Sequence, residues 1–268
     1  MWDLYVPMVE NVERDLPYET GKNLVLDSAL PLGNEVQTIL RRGFESRWVD
    51  VYENEGKTSG AFSDGSYLTP PYILMNYQDK LESVFTLAHE WGHSLHSYLS
   101  RENQPYVYSS YTIFVAEVAS TLLEALLAHK MLEEARAAGD VPLQIYLLNQ
   151  TAERFRTTLY RQTLFAEFEL KIHEKVEANE ALTADSMSEI YLGINRDYYG
   201  AEVEVDEIGA IEWARIPHFY YGYYVYQYAT GISAAQSLAR QILREGEPAV
   251  RRYLDFLRGG GSKTSIDL

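Results

Sequence analysis

His89-Glu90-Trp91-Gly92-His93 is an H-E-x-x-H motif, and on a helix that spacing has a definite chemical meaning. Residues four apart share a helical face, so both imidazoles can point at one ion while Glu90 flanks a water beside it. Metal-assisted hydrolysis needs this combination: neutral nitrogens to hold a divalent cation and a carboxylate to take a proton. A catalytic site also needs a third protein ligand, with one position left open. Glu117 lies 24 residues beyond His93, within the apolar run Phe114 to Ser120, where an unpaired carboxylate is costly to bury and coordination would satisfy it. Glu124, seven residues on, falls on the same helical face. It suits either a hydrogen bond to a ligating histidine or an ordinary ion pair. His96 follows His93 by three and is a rival ligand by spacing alone. As a fourth protein ligand it would close the site and make it structural, but a packed or hydrogen-bonded histidine is the preferred reading. His129 and His173 fall in charged helical stretches and read as structural or solvated. The donors favour zinc, although cobalt or manganese suits the same N/O set.

A second constellation runs from His218 to Tyr228, with six tyrosines in eleven residues. Phenolic hydroxyls are neutral near pH 7 and donate hydrogen bonds, which suits them to an oxyanion formed when water attacks a peptide carbonyl; His218 can donate in the same way. Packing of an aromatic face accounts for about half of these rings.

These side chains must be positioned by a folded scaffold. The chain has 268 residues, 46% hydrophobic and 23% charged, enough for a core without disulfide staples. Cysteine is absent, which excludes thiolate metal sites and cysteine nucleophiles. A net charge of -16 without a Lys/Arg run disfavours nucleic acid and anionic membrane surfaces. No apolar stretch approaches the roughly 20 residues of a membrane span, and the amino terminus lacks a signal-peptide pattern, so a cytoplasmic location is expected.

Prolines and glycine in residues 1–32 predict an irregular lead-in. Val36, Ile39, Leu40, Phe44 and Trp48 predict a helix over 33–49 with one buried face. Between 49 and 77, short β-prone runs separated by glycines and Pro70-Pro71 predict a small antiparallel sheet. Asp79 with Glu82 reads as a capping box that opens a helix to about Leu99. Further helices are expected over 112–138, 142–178, 184–198, 220–245 and 247–257. With no repeat and no linker, a single mainly α domain over 1–268 is the economical architecture, its helical body spanning 79–258.

The segments Phe85 to Tyr98, Phe114 to Ser120 and Ile216-Pro217-His218-Phe219-Tyr220-Tyr221 together resemble oligoendopeptidase F, a bacterial branch of the thimet oligopeptidase family of zinc metallopeptidases. Trp48 to Asn54, Ser59 to Phe62 and Tyr228 to Ala235 fit it as well. The resemblance implies a helical zinc-metallopeptidase domain that hydrolyses short peptides and carries one Zn2+ per chain. It makes His89, His93 and Glu117 the metal ligands and Glu90 the general base. His218 would steady the transition state, assisted by hydroxyls for which Tyr226 and Tyr223 are first choices and Tyr220 next. Gly60 and Ala61, in an edge strand around Ser59 to Phe62, would meet the peptide backbone. Family members are longer, with an additional helical half upstream, so the chain is expected to be the catalytic half. Its alternative reading is a zinc-loaded peptide-binding fragment with little or no activity. Self-association or docking with such a half is the partner expectation.

Overall fold

A computed structural model of the chain describes residues 6, 12 and 14–268. The remaining part of the expected lead-in lies outside the described residues. From 18 onward the lead-in is not irregular. Helix α1 spans Tyr18–Ser28, with Pro17 at its N-cap, followed by a 3-10 turn and α2 over Gly33–Glu45. Gly21, which argued against a helix, is instead a contact glycine: a Cβ there would lie 2.2 Å from the Tyr77 hydroxyl oxygen. Tyr77 also donates to the Leu16 carbonyl at 2.8 Å.

Three short strands follow: β1 (Val49–Asp50), β2 (Phe62–Asp64) and β3 (Tyr72–Leu74). Their order is β1-β3-β2. The sheet is mixed rather than antiparallel. β2 pairs antiparallel with β3, with Ser63 opposite Ile73, whereas β1 pairs parallel, with Val49 opposite Ile73. The 11 residues between β1 and β2 let β1 dock on the far side of β3, and residue-level β-propensity cannot register strand direction.

Helix α3 spans Leu81–Asn103 and begins later than Asp79. The expected capping box is absent because Asp79 is left-handed, with φ 55°, and Lys80 occupies the N-cap without a side-chain cap. The Asp79 carbonyl instead accepts from the Leu16 amide at 2.7 Å. Helix α4 spans Ile113–Ala137 and stops ahead of left-handed Gly139. The long helix expected over 142–178 is α5 (Val141–Arg154) and α6 (Arg161–Glu177), separated by a π-helical turn at Phe155–Tyr160. Helices α7 (Ala184–Tyr199), α8 (Tyr226–Glu245) and α9 (Glu247–Arg258) complete the chain. No described helix is long and apolar enough to cross a membrane.

The described residues group into two compact units: residues 6 and 148–230, and residues 12, 14–147 and 231–268. Each has its own apolar core. In the larger unit, Leu87, Trp91, Leu95 and Leu99 of α3 pack with Leu122, Leu123 and Leu126 of α4, and the Trp91 ring lies 4.6 Å from that of Phe44. In the smaller unit, Leu164, Phe165 and Phe168 of α6 pack with Tyr191 and Ile194 of α7 and with Ile216 and Val225. No linker marks the division because both boundaries fall inside helices, α5 and α8.

Candidate metal centre

In the larger unit, α3 presents His89 and His93 one turn apart, and α4 brings Glu117 to them. Close approach of the two helices depends on Gly92. A Cβ at that position would lie 2.4 Å from both the Ala119 carbonyl oxygen and the Ser120 Cα, so only glycine lets α4 come this near. Gly231 of α8 plays a milder part, because a Cβ there would come within 3.2 Å of the Glu117 Cβ.

The three donor atoms form a nearly equilateral triangle. His89 Nε2 stands 3.1 Å from His93 Nε2 and 3.3 Å from Glu117 Oε2, and His93 Nε2 stands 3.6 Å from the same oxygen. Ligand atoms about 2.0–2.1 Å from a zinc ion at tetrahedral angles stand about 3.3–3.4 Å from each other. The triangle therefore fits three corners of a tetrahedron around a small divalent cation. The lone pairs are directed for the task as well. Nδ1 of His89 donates to Glu124 Oε1 at 2.6 Å, which orients the ring so that Nε2 faces His93 and Glu117. Ser120 Oγ donates to Glu117 Oε2 at 2.8 Å and fixes the carboxylate.

Electrostatics point the same way. Burial alone would lower the pKa of His89, but its hydrogen bonds to Glu117 and Glu124 override that and raise it to about 10. Burial would raise Glu117, yet the His89 hydrogen bond and the charges nearby hold it down at about 2. The two carboxylates thus draw positive charge to the His89 ring. His93 is pushed down to about 4, first by burial and then by His89, so it is a neutral nitrogen donor near pH 7.

Glu90 is 5% exposed, and Oε2 makes no protein hydrogen bond. Burial pushes its carboxyl up to about 7, against the pull of His89 and of the Ser63 backbone hydrogen bond. That poises the group between acid and base near neutrality. Ser63 belongs to β2, and its hydroxyl shares a 2.8 Å hydrogen bond with that of Ser94 on α3, so the strand is tied alongside the metal-site helix. β2 lies at a sheet edge, and Gly60 and Ala61 immediately precede it. The Gly60 carbonyl accepts from Asn76 Nδ2 at 2.8 Å, which anchors that approach.

His96 is fully buried, and its ring stacks on Tyr111 with centroids 3.6 Å apart and planes 3° from parallel. Among the described residues, His89, His93 and Glu117 form the cluster of potential ligands, and His96 is outside it. No fourth donor joins them among the described residues, so these three residues build an open rather than a closed set. Sequence reasoning missed Gly92 and Ser120 as shapers of the site. Glycine in a helix-spacing motif reads as filler, and only the α3–α4 contact shows what it does.

The His218–Tyr228 constellation lies in the smaller unit. It is not one helix. Pro217–Tyr221 forms a 3-10 turn, Gly222 and Tyr223 are both left-handed with φ of 57° and 53°, and α8 starts only at Tyr226. The left-handed pair breaks the expected 220–245 helix, and Tyr223 bears a cost of roughly 1–2 kcal/mol for that conformation. The rings divide between packing and exposure. Phe219 and Tyr224 pack against the core, whereas Tyr220, Tyr223 and Tyr226 are 89%, 46% and 40% exposed. His218 stacks on Tyr224 with ring centroids 5.7 Å apart. A cavity of about 310 Å³ in this unit is lined by His218 and Tyr228 together with Arg161, Phe165 and Val225.

An α-helical scaffold with an H-E-x-x-H helix, a glutamate from the following helix and a small sheet edge beside them defines a metallopeptidase-type architecture. Residues 28–268 match the model of peptidase family M3, and the chain belongs to that family. Oligopeptidase PepF of Bacillus subtilis is 51% identical over 268 residues, covering all of this chain and 40% of that protein. A solved structure of a Chlamydophila abortus protein superposes with a TM-score of 0.90 at 42% identity, over 100% of this chain and 44% of that one. Oligoendopeptidase-F of Enterococcus faecium superposes with a TM-score of 0.69 at 35% identity, over 97% of this chain and 38% of that one. The chain thus spans less than half the length of these relatives.

Proposed function

We propose that the chain is a zinc-dependent endopeptidase acting on short peptides. The observation that carries this reading is the donor triangle of His89, His93 and Glu117 at tetrahedral spacing, with the buried Glu90 beside it. Family membership and the oligoendopeptidase names of similar proteins support it. Zinc, when bound by these three residues, supplies a Lewis acid that polarises the scissile carbonyl and acidifies water. Glu90 takes a proton from the attacking water and hands it to the leaving amine, a role suited to a carboxyl raised to about 7. Glu124 keeps His89 in the right tautomer. Strand β2, entered through Gly60 and Ala61, offers its free edge to the peptide backbone. His218, with Tyr226, Tyr223 and Tyr220, donates hydrogen bonds to the oxyanion; each such donor is worth about 3 kcal/mol in comparable sites.

Turnover of an internally quenched peptide, blocked at both ends, tests the reading when measured with chelator and after zinc is restored. Cleavage that disappears with chelator and returns with zinc supports an endopeptidase. Tight binding of the peptide by the zinc-loaded chain with no cleavage would make it a peptide-capturing module instead.

A further inference from the structure

Glu169 of α6 is 1% exposed, and the reaction outlined above makes no use of its carboxylate. Its Oε1 accepts the backbone N–H of Tyr223 at 2.6 Å, across 54 residues of sequence. One helical turn later, the His173 ring lies 4.7 Å from the Tyr223 ring at 33°. Two side chains on one face of α6 therefore hold Tyr223 by its backbone and by its ring. The residue they hold is left-handed, as is Gly222 before it, and this pair turns the chain from the 3-10 segment into α8. Bulky side chains rarely adopt that conformation, and it persists where the surroundings over-determine it. A buried carboxylate is costly unless hydrogen-bonded, and its bond to an amide is of the strong charge-assisted kind.

We propose that Glu169 is a positioning residue that clamps the Tyr223 amide and thereby sets where the hydroxyls of Tyr220, Tyr223 and Tyr226 stand for a bound peptide. The assignment rests on the endopeptidase reading for its consequence, but the clamp itself can be measured without turnover.

The zinc-loaded full chain is compared with its Glu169→Leu and Glu169→Gln variants. Leucine removes the acceptor, whereas glutamine keeps an oxygen where Oε1 stands. Hydrogen exchange of the 222–225 amides and steady-state cleavage of a quenched peptide are measured together. In E169L, exchange at Tyr223 is expected to accelerate and kcat to fall about ten- to a hundredfold, the scale set by ångström-sized misplacement of catalytic groups. KM and bound zinc stay unchanged, and E169Q restores both protection and kcat. Wild-type protection or wild-type kcat in E169L overturns the proposal. So does an equal loss of kcat in both variants accompanied by lost zinc or a lowered unfolding midpoint, which marks a merely structural role. If E169L does not fold, Glu169→Asp, which draws the acceptor back by one methylene, decides the matter: faster exchange with reduced kcat supports the clamp, and wild-type values overturn it. A zinc-loaded wild type without turnover sinks the endopeptidase reading alone. The exchange difference then judges the clamp, supporting it if E169L loses protection and refuting it if not.

Discussion

Replacing Gly92 with alanine adds one methyl group where α3 meets α4. The new Cβ would stand 2.4 Å from the Ala119 carbonyl oxygen and from the Ser120 Cα, against 3.4–4 Å for ordinary contact. Both obstacles are backbone, so relief requires α4 to retreat by about 1 Å, the kind of shift that overpacking forces. Glu117 lies one turn before Ser120 and moves with it. Its separations of 3.3 and 3.6 Å from the histidine nitrogens would then each lengthen by a similar amount, well beyond the roughly 3.3–3.4 Å edge of a zinc tetrahedron. Zinc affinity is expected to fall by at least the 10- to 100-fold typical of losing a ligand's supporting partner, about 1.4–2.8 kcal/mol. Overpacking costs about 1–3 kcal/mol in fold stability, partly offset by the roughly 0.5–1 kcal/mol that alanine gains over glycine within a helix. Competition with a chromophoric chelator measures the affinity, and urea unfolding of the metal-free protein measures the stability. Gly193→Ala is the control: this exposed glycine within α7 has nothing within 4 Å of an added Cβ. It should gain the helix term and leave zinc untouched. Wild-type zinc affinity in Gly92→Ala would refute the claim that helix proximity sets ligand convergence.

Glu90→Gln is expected to bind zinc as the wild type does while kcat falls by about 10²–10⁴, the usual share of a general base; quenched-peptide kinetics beside zinc analysis check it, and undiminished turnover removes Glu90 from that role. Glu124→Gln loosens the tautomer of His89 and is expected to weaken zinc by about 10- to 100-fold, read by the same chelator competition. Because the carboxylates raise His89 to about 10, the metal-free site holds a proton at pH 7–8 that zinc must displace. Binding should then release about one proton and weaken as pH falls, and calorimetry in buffers of different ionisation enthalpy checks this; a buffer-independent heat contradicts it.

The metal cluster was legible because its information is local. H-E-x-x-H fixes two donors on one helical face, and a glutamate set in the apolar run Phe114 to Ser120 announces that its carboxylate needs a partner. The same logic yields most helix positions, since Val36, Ile39 and Leu40 bury one stripe of α2, as their spacing predicts. What stayed hidden depends on contacts across the chain. Gly21 and Gly92 read as weak helix formers until Tyr77 and α4 are seen pressed against them. Asp79 has the letters of a cap, but its carbonyl is taken by Leu16 and its backbone is left-handed. The tyrosine segment reads as helical by aromatic spacing. Its left-handed turn at Gly222 and Tyr223 is held by Glu169, 54 residues earlier, and no local pattern reports such a partner.

X-ray absorption at the zinc edge of the reconstituted chain tests most directly whether α3 and α4 together build one open zinc site. Four light-atom neighbours at about 2.0–2.1 Å, two of them with imidazole scattering, are expected in the wild type, with the imidazole pair retained and one oxygen lost in Glu117→Ala. A third imidazole in the shell, or a spectrum unchanged by Glu117→Ala, would contradict the account.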